Sequence, residues 1–322
     1  MANNIPANVH YDQYLTSFAV DYYNSQNYIA DRVFSNTSVR KQSDKYYVFA
    51  ADNSENGNLV KEAVPMVQPN MFEVTQSEDT YFCKVYDAGF MMDTFTEANE
   101  DEALMTRERK MRGLMDQMLK KRDRDFISTY LTTGVWGEDL AGTTDFTKWS
   151  DSASTPIDDV MLWKEDFWVR NNGLGVNKIV ISKDIKRHLL TNTQILGRIN
   201  GGATVTNPAM VNDTIIASIF EVDEVIWADA VSVAAGASTP AYMVSDRMLM
   251  VHDEPNGGME SATAGKIFSW DTLPDASFGI TVTTLDTPEQ RFVNVAEKVK
   301  AEMTYDMKVT GASLGTYISD LV

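Results

Sequence analysis

The stretch that decides the fold is residues 80–134, TYFCKVYDAGFMMDTFTEANEDEALMTRERKMRGLMDQMLKKRDRDFISTYLTTG. Its first part alternates apolar and polar side chains, which is typical of a β-strand. From residue 97 onward the apolar side chains recur every three or four positions, which predicts one α-helix over residues 97–132. At about 1.5 Å per residue this helix would be ~54 Å long, which exceeds the width of a small domain. A helix that extends beyond the width of one domain suggests a protein that functions by assembly.

Both ends of the predicted helix carry the expected signals. Thr96 or Asn99 can cap its N-terminus, and acidic side chains, which the helix dipole favours there, fill the first turn. Gly134 follows its last turn, where glycine commonly ends a helix. Gly113 inside the helix costs about 1 kcal/mol relative to alanine, so we expect a bend or a close neighbour at that position. The apolar stripe consists of Leu104, Met111, Met115, Met118 and Leu119.

Upstream of the helix, the sequence predicts a long loop with two limbs. Lys45–Ala51 is typical of a strand, and residues 52–58 form a polar tip with glycine and asparagine, which tolerate turn geometry. The return limb is the strand-like segment Thr80–Tyr86. Residues 1–40 carry scattered aromatic side chains without a helical or strand period, so we expect an arm that packs on something else.

The rest of the chain predicts a mixed α/β region followed by long strands. A helix begins at Thr155 and Pro156, and its predicted buried face consists of Ile157, Val160, Trp163 and Phe167. Strands, among them residues 178–182 and 224–228, then alternate with short helices to about residue 269. Apolar and polar residues then alternate from Val293 to Val309, which is longer than the usual strand of about 3 to 10 residues. This pattern predicts a bent strand, a hairpin or an antiparallel ribbon, with one face covered by the apolar stripe of the long helix.

The composition excludes several classes of function. The 322 residues carry 46 acids and 28 bases, and the net charge of −18 repels nucleic acid and anionic lipid, so direct wrapping of a genome is not expected. The single cysteine, Cys83, excludes a disulfide framework within the chain and predicts a buried thiol. No apolar run approaches the roughly 20 residues of a membrane helix, and the first residues lack the pattern of a signal peptide. We therefore expect no membrane partner and synthesis in the cytosol.

Four motifs could carry catalysis or a ligand, and each lacks a part. Gly311–Gly315 matches the nucleophile elbow of hydrolases, but no histidine follows Ser313. Residues 52–63 resemble a calcium loop without its last glutamate, and Gly173–Gly175 lacks the third glycine of a dinucleotide site. His252–Glu254 would point to opposite faces of a strand. We expect no enzyme activity, cofactor or metal; a soluble hydrolase that uses Ser313 or a histidine remains an alternative.

The long helix carries a strong cluster of bases. Eight of the 28 bases lie between residues 107 and 124, which gives this segment a charge of +5 and leaves −23 for the rest. Three interpretations stay open: a solvated face with pairs such as Asp116 and Lys120, a contact between subunits, or a contact with packaged nucleic acid or an acidic scaffold. The candidate contact residues are Asp52, Asn53, Glu55 and Asn56 at the loop tip and Arg107, Arg109, Arg112, Lys120, Lys121, Arg122 and Arg124 on the helix.

The order of these segments resembles that of the major capsid proteins of tailed bacteriophages with the Hong Kong 97-type fold. The resemblance covers nearly the whole chain and includes the extended loop closed by Thr80-Tyr-Phe-Cys-Lys-Val-Tyr-Asp-Ala-Gly89. It implies an α+β fold with long antiparallel strands and a mixed α/β axial domain. The implied segments are an N-terminal arm at 1–40, an extended loop (E-loop) at 41–92, a peripheral domain at 93–154 and 266–322 with a spine helix at 97–132, and the axial domain at 155–265.

The resemblance also implies a function. Copies of such a subunit form the hexamers and pentamers of an icosahedral phage head, assembled in the host bacterial cytoplasm and found in the virion. Its implied partners are other copies of itself, a separate scaffold protein, a portal and a decoration protein, and it encloses double-stranded DNA without sequence-specific binding. A host-encoded nanocompartment shell of the same fold, an encapsulin that holds an enzyme cargo, is the alternative.

Overall fold

The computed structural model describes residues 9–11, 13–25, 28–49, 62, 68, 77–93, 106–200, 213–232, 239–254, 258, 261–271, 279–285 and 295–322. The chain forms two compact units, each built from three separate segments. The first unit comprises Met1–Asp44, Thr80–Phe126 and Lys266–Lys308, and the second comprises Lys45–Asp79, Ile127–Gly265 and Val309–Val322. These units divide the chain differently from the predicted arm, loop, peripheral and axial segments, which remain a prediction.

The described elements alternate between helices and strands along the chain. The helices are α1 (Gln13–Ser25), α2 (Ile29–Val33), α3 (Thr106–Tyr130), α4 (Pro156–Arg170), α5 (Lys183–Thr191), α6 (Thr193–Asn200) and α7 (Asp213–Phe220). The strands are β1 (Val9–Tyr11), β2 (Ser35–Val39), β3 (Ser43–Val48), β4 (Ser77–Phe82), β5 (Lys84–Asp93), β6 (Glu138–Ala141), β7 (Lys178–Ser182), β8 (Glu224–Ala228), β9 (Val231–Ser232), β10 (Ala241–Tyr242), β11 (Arg247–Val251), β12 (Gly265–Trp270), β13 (Ile280–Leu285), β14 (Val295–Val309) and β15 (Gly315–Ser319).

The first unit is organised around β14, a single strand of 15 residues. The sheet has the order β1-β13-β14-β12-β2, and β5 also pairs with β14. Both β13 and β5 run antiparallel to β14, whereas β2 and β12 are parallel. The pairing register shifts between Val295 and Glu297, and Glu297 is the one polar residue on the apolar side of the alternating sequence. The predicted alternation is confirmed by five buried side chains, Val299, Ala301, Met303, Tyr305 and Met307.

Helix α3 packs on β14, as the sequence predicts. Met111, Met115 and Leu119 of its apolar stripe are fully buried, and the Tyr305 hydroxyl of β14 donates a hydrogen bond to Asp125 of the helix at 3.3 Å. The helix ends at Tyr130, two residues before the predicted end. The predicted first turns, with their caps and Leu104, lie outside the described residues.

The N-terminal residues of the described chain fold into the first unit. Strand β1 pairs with β13, and the Thr16 hydroxyl of α1 accepts a hydrogen bond from the Val282 N–H of β13 at 3.1 Å. Leu15 and Ala19 of α1 are fully buried. Residues 13–25 therefore form a helix within the first unit where we expected no helical period, and the N-terminal arm at 1–40 stays a prediction. Tyr14 is exposed, so this aromatic side chain does not lie on the buried face of α1.

The first predicted limb of the loop is present as β3. The predicted return limb Thr80–Tyr86 is divided between β4, which ends at Phe82, and β5, which pairs with β14. Strands β3 and β4 pair with each other as a separate two-stranded sheet. Lys45 and Glu78 form an ion pair across it at 2.6 Å, and the Tyr46 hydroxyl donates to the Asp79 carboxylate at 3.0 Å. Residues 50–61, which include the predicted tip, lie outside the described residues.

The second unit is a layer of helices on a mixed sheet with the order β6-β15-β11-β7-β8. Strands β6 and β15 are parallel, as are β7 and β8, and β11 runs antiparallel to its two neighbours. Helix α4 packs against α6 and α7, which follow it in the chain. The predicted buried face of α4 is confirmed by Ile157, Val160, Trp163 and Phe167.

Two glycines in the structure have opposite surroundings. A Cβ atom added at Gly113 would have no neighbour within 4 Å, and α3 continues through this residue, so the expected close neighbour is absent from the described chain. A Cβ atom at Gly315 would lie 2.0 Å from Cε3 of Trp136, whose indole N–H donates to the Tyr130 carbonyl oxygen at 2.7 Å. Gly315 therefore allows β15 to pass directly over the indole.

These surroundings predict opposite effects of the same substitution. Gly113→Ala should raise the free energy of unfolding by about 0.5–1 kcal/mol, because alanine loses less backbone entropy in a helix. Gly315→Ala should lower it by about 1–3 kcal/mol, because Trp136 must move to admit the methyl group. Urea unfolding of the dissociated subunit, followed by circular dichroism, measures both; a destabilised Gly113→Ala would contradict the open surroundings described above.

Candidate assembly surface on helix α3

The four candidate contacts at the loop tip lie outside the described residues, so the candidate surface that can be described is on α3. Its exposed bases are Arg109, Arg112, Lys121 and Arg124, here called the basic face. At 3.6 residues per turn these positions lie on the side of the helix opposite the apolar stripe, and they extend over about 22 Å. The basic face is thus a stripe of four cations on a protein of net charge −18.

Some bases of α3 already have partners within the chain. Lys120 pairs with Asp116 at 2.5 Å, which confirms the predicted i,i+4 pair, and Lys121 pairs with Asp125. Such pairs on a solvated helix stabilise it by only about 0.2–0.5 kcal/mol each. The guanidinium of Arg112 lies 5.2 Å from the centroid of the Phe18 ring. The solvated face, the contact between subunits and the contact with packaged nucleic acid or an acidic scaffold all stay predictions for this helix.

The remaining bases differ in exposure. Arg109 and Arg124 are exposed and form no ion pair with the described part of the chain, whereas Arg107 is half-buried. The ammonium of Lys110 donates to the Met91 carbonyl oxygen at 3.2 Å. Arg109 and Arg124 are therefore the two cations of α3 most available to another molecule.

Arg122 does not belong to this surface. Its side chain is 0% exposed, and it forms an ion pair with Asp31 of α2. The guanidinium also lies 5.8 Å from the centroid of the Tyr305 ring. Because it is enclosed in its own unit, Arg122 cannot reach another subunit from this position, which corrects the prediction for this residue. Its spacing, three residues after Leu119 and four before Phe126, already places it on the apolar stripe.

The neighbouring Asp123 holds the start of α2. Its carboxylate accepts hydrogen bonds from the backbone N–H groups of Ile29 at 3.1 Å and Ala30 at 3.0 Å. Burial raises the pKa of Asp123 to about 6, although the two N–H groups and the nearby Arg122 favour its ionised form. We call Asp31, Arg122 and Asp123 the α2 latch. No feature of the sequence other than helical spacing marks it.

Breaking the latch should destabilise the subunit strongly. Arg122→Ala leaves the Asp31 carboxylate without its buried partner, which should lower the free energy of unfolding by about 3–5 kcal/mol. Lys121→Ala is the matched control, because its exposed pair with Asp125 should contribute less than about 1 kcal/mol. Urea unfolding midpoints of the two variants test this; equal midpoints would mean that the buried pair adds no more than the exposed one.

The raised pKa of Asp123 predicts a specific pH dependence. The ordinary aspartate pKa is 3.8, so the folded state binds this proton more tightly than the unfolded chain. The contribution to stability is therefore greatest below about pH 4 and is lost as pH rises through about 6. Asp123→Asn removes the titration. From about pH 4.5 to about pH 7 the stability of the wild type relative to Asp123→Asn should fall by on the order of 2 kcal/mol. A relative gain over that range would contradict the raised pKa.

The backbone at Ser313 does not have the geometry of a nucleophile elbow, which the hydrolase alternative requires. The residue lies in a 3₁₀ turn, Ala312–Leu314, between two strands, whereas a nucleophile elbow joins a strand to an α-helix. Gly311 and Gly315 flank the turn with extended backbone, at φ of −147° and −136°, so the strained geometry of an elbow is absent there. Asn171 instead donates to the carbonyl oxygen of Ser313 at 2.9 Å.

The other chemical candidates are also accounted for. Cys83 is buried and donates to the Phe268 carbonyl oxygen at 3.4 Å, and burial raises the pKa of this thiol to about 12, so the predicted buried thiol is confirmed. Within the described residues, no three His, Cys, Asp or Glu side chains are grouped to hold a metal ion. Among the described helices, none has both the length and the apolar character that a membrane span requires.

Comparison with known proteins identifies the fold. No protein-family model and no curated protein matches the sequence. A phage-related protein from Bordetella bronchiseptica superposes with a TM-score of 0.73 over 97% of both chains, at 14% identity. The capsid of cyanophage P-SCSP1u gives 0.56 over 91% of this chain and 88% of that chain, at 10% identity. An encapsulin complex from Synechococcus elongatus gives 0.54 over 91% and 86%, also at 10% identity. The predicted α+β, Hong Kong 97-type fold is therefore confirmed.

Proposed function

We propose that this protein is the major capsid protein of a tailed bacteriophage, without catalytic activity. Its copies form the hexamers and pentamers of an icosahedral head that encloses double-stranded DNA. The observation that carries the proposal is the match of fold over 97% of both chains with a phage-related protein. The subunit would act in the virion after assembly in the host bacterial cytoplasm.

The charge distribution supports self-assembly. A protein of net charge −18 repels its own copies at long range, so a contact between copies needs a local region of opposite charge. The basic face supplies such a region, and its bases Arg109 and Arg124 have no ionic partner in the described chain. Complementary charge of this kind directs the encounter of subunits and fixes their register.

The remaining partners follow from the same proposal. A separate scaffold protein, a portal and a decoration protein would bind the assembled shell. The packaged DNA would be enclosed without sequence-specific recognition, because an acidic subunit gains little from phosphate contacts.

A nanocompartment shell is the second candidate function. The similarity to an encapsulin over 91% of this chain favours it. The two functions differ in what the shell contains: an encapsulin would copurify with an enzyme cargo encoded beside it, and a phage head would package DNA in the presence of its neighbouring portal and terminase genes. Analysis of the contents of shells produced with the native gene neighbourhood discriminates them.

Electron microscopy of the purified protein tests the shared part of both proposals. We expect closed shells or isolated capsomers, and light scattering should give a mass of at least five or six subunits. A monodisperse monomer under all assembly conditions, with and without a coexpressed scaffold, would refute a shell function.

The basic face should be required for correct assembly. Arg109→Glu combined with Arg124→Glu should abolish shells or change their size and leave the subunit folded, because both side chains are exposed and unpaired in the described chain. Arg40→Glu combined with Lys84→Glu is the matched control, with the same charge change at exposed bases of the same unit that form no ion pair with the described chain. Normal shells from the first variant, seen by negative stain at normal yield, would reject the contact role of the basic face.

The loop tip offers an independent test. Deletion of residues 52–58, which include the candidate contacts Asp52, Asn53, Glu55 and Asn56, should leave the subunit folded and lower the melting temperature of the shell. An interlocking loop buries a large interface, of order 2,000 Å² or more, so its loss should be easily measured. An unchanged melting temperature of the shell would argue against an interlocking loop.

A further inference from the structure

The second unit has few cations, and most of them are already engaged. Residues Ile127–Gly265 contain nine bases and eighteen acids. Seven of the bases contact a carboxylate or a backbone carbonyl oxygen of the same chain: Lys148, Lys164, Arg170, Lys178, Lys183, Lys186 and Arg247. Arg187 on α5 and Arg198 on α6 are exposed, and neither reaches a carboxylate of the described chain. They are the two cations of residues 127–265 that contact neither a carboxylate nor a backbone carbonyl oxygen in the described chain.

Helix α4 presents the opposite arrangement. Leu162 and Val169 are 57% and 72% exposed on its outer side, and the exposed acids Glu165 and Asp166 lie between them. No cation of the described chain pairs with either acid. We call Leu162, Glu165, Asp166, Trp168 and Val169 the outer face of α4.

The two bases of α4 do not neutralise the acids of its outer face, because both basic side chains point into their own unit. The Lys164 ammonium donates to the carbonyl oxygen of Phe220 at 2.8 Å, and Arg170 pairs with Glu138 at 2.6 Å. A helix that uses its bases internally and exposes its acids beside apolar side chains therefore presents a surface suited to a cationic partner.

Trp168 is held in place although it is 55% exposed. A Cβ atom at Gly175 would lie 3.2 Å from the indole ring, and one at Gly173 would lie 3.6 Å from it. The Gly173 N–H donates to the Trp168 carbonyl oxygen at 3.0 Å, and the φ of +93° at this glycine favours glycine over other residues. The two glycines thus let the chain pass beneath the indole. An aromatic side chain ordered before binding is the type that dominates interface energies.

We propose that the outer face of α4 in one copy binds Arg187 and Arg198 of a second copy. The acids Glu165 and Asp166 would meet the two arginines, whose guanidinium groups reach no carboxylate in the described chain, and Trp168 offers a ring face on which a guanidinium can stack. Two outer faces would repel each other, so the contact joins two different surfaces. Such a contact repeats from copy to copy and closes as a ring. The inference rests on the proposed shell function, for which it specifies the contact within a hexamer or pentamer.

Charge reversal on each side tests the pairing. The acid variant carries Glu165→Arg and Asp166→Arg, and the arginine variant carries Arg187→Glu and Arg198→Glu. Each alone should remain a folded monomer, by circular dichroism and sedimentation velocity. The control with Glu221→Arg and Glu254→Arg changes two exposed acids of the same unit by the same charge and should assemble like the wild type.

Combining the two reversed surfaces, in one chain or in a mixture of the two variants, tests the pairing directly. A chain with all four substitutions should assemble again, because opposite charges face each other once more. An equimolar mixture of the acid and arginine variants should form rings with an even number of subunits only, since the two variants must alternate. Adding Trp168→Ala to one partner of this mixture should weaken its association at least about tenfold.

The outcomes separate this inference from the proposed function. If the wild type forms shells and the acid variant does so equally well, or if neither the fourfold variant nor the mixture recovers association, the pairing is refuted and the shell function stands. If the wild type never forms shells but the two variants associate only with each other, the pairing stands and the shell function is refuted.

Discussion

The first unit depends on the buried ionic contact between α2 and α3. Asp123 accepts hydrogen bonds from two N–H groups at the start of α2, and Arg122 pairs with Asp31 in the same first turn. Phe34 and Phe126 extend the contact with an edge-to-face pair whose ring centroids are 5.0 Å apart. Charges enclosed in this way stabilise a fold only when every member has its partner. The latch therefore fixes where the N-terminal residues lie on α3, and α3 in turn covers β14.

Charged side chains bound inside each unit also explain why α3 exposes mainly bases and α4 exposes mainly acids. On α3 the stripe that packs on β14 includes Arg122 and Asp123. The basic face lies on the outer side of the helix, where Lys121 pairs with Asp125 of the same helix. On α4 the bases Lys164 and Arg170 bind inside the second unit, and its acids remain outside. An acidic chain thus gains one basic and one acidic surface without changing its net charge. Local complementarity of this kind can join copies that repel each other at a distance.

Helical and strand periods predicted most of the fold because burial imposes them. Strands β7 and β8 and the buried face of α4 follow the sequence to the residue. The latch could not be predicted from residue type, since arginine and aspartate normally indicate a surface, although their spacing places them on the apolar stripe. Helix α1 was missed because Leu15 shares its buried side with the small or weakly apolar residues Thr16 and Ala19, and its aromatic Tyr14 is exposed.

The contacts between copies are the part that no pattern in one chain reveals. A catalytic site requires particular residues at particular spacings, and it leaves a motif; a shell subunit requires only that two surfaces fit, which many residue pairs can satisfy. This accounts for a shared fold over 97% of two chains at 14% identity. The buried positions that maintain the fold tolerate exchange among apolar side chains of similar volume. Under the proposed function, specificity would reside in exposed residues such as the basic face and the outer face of α4, which can change together between relatives as long as each still matches its counterpart on the next copy.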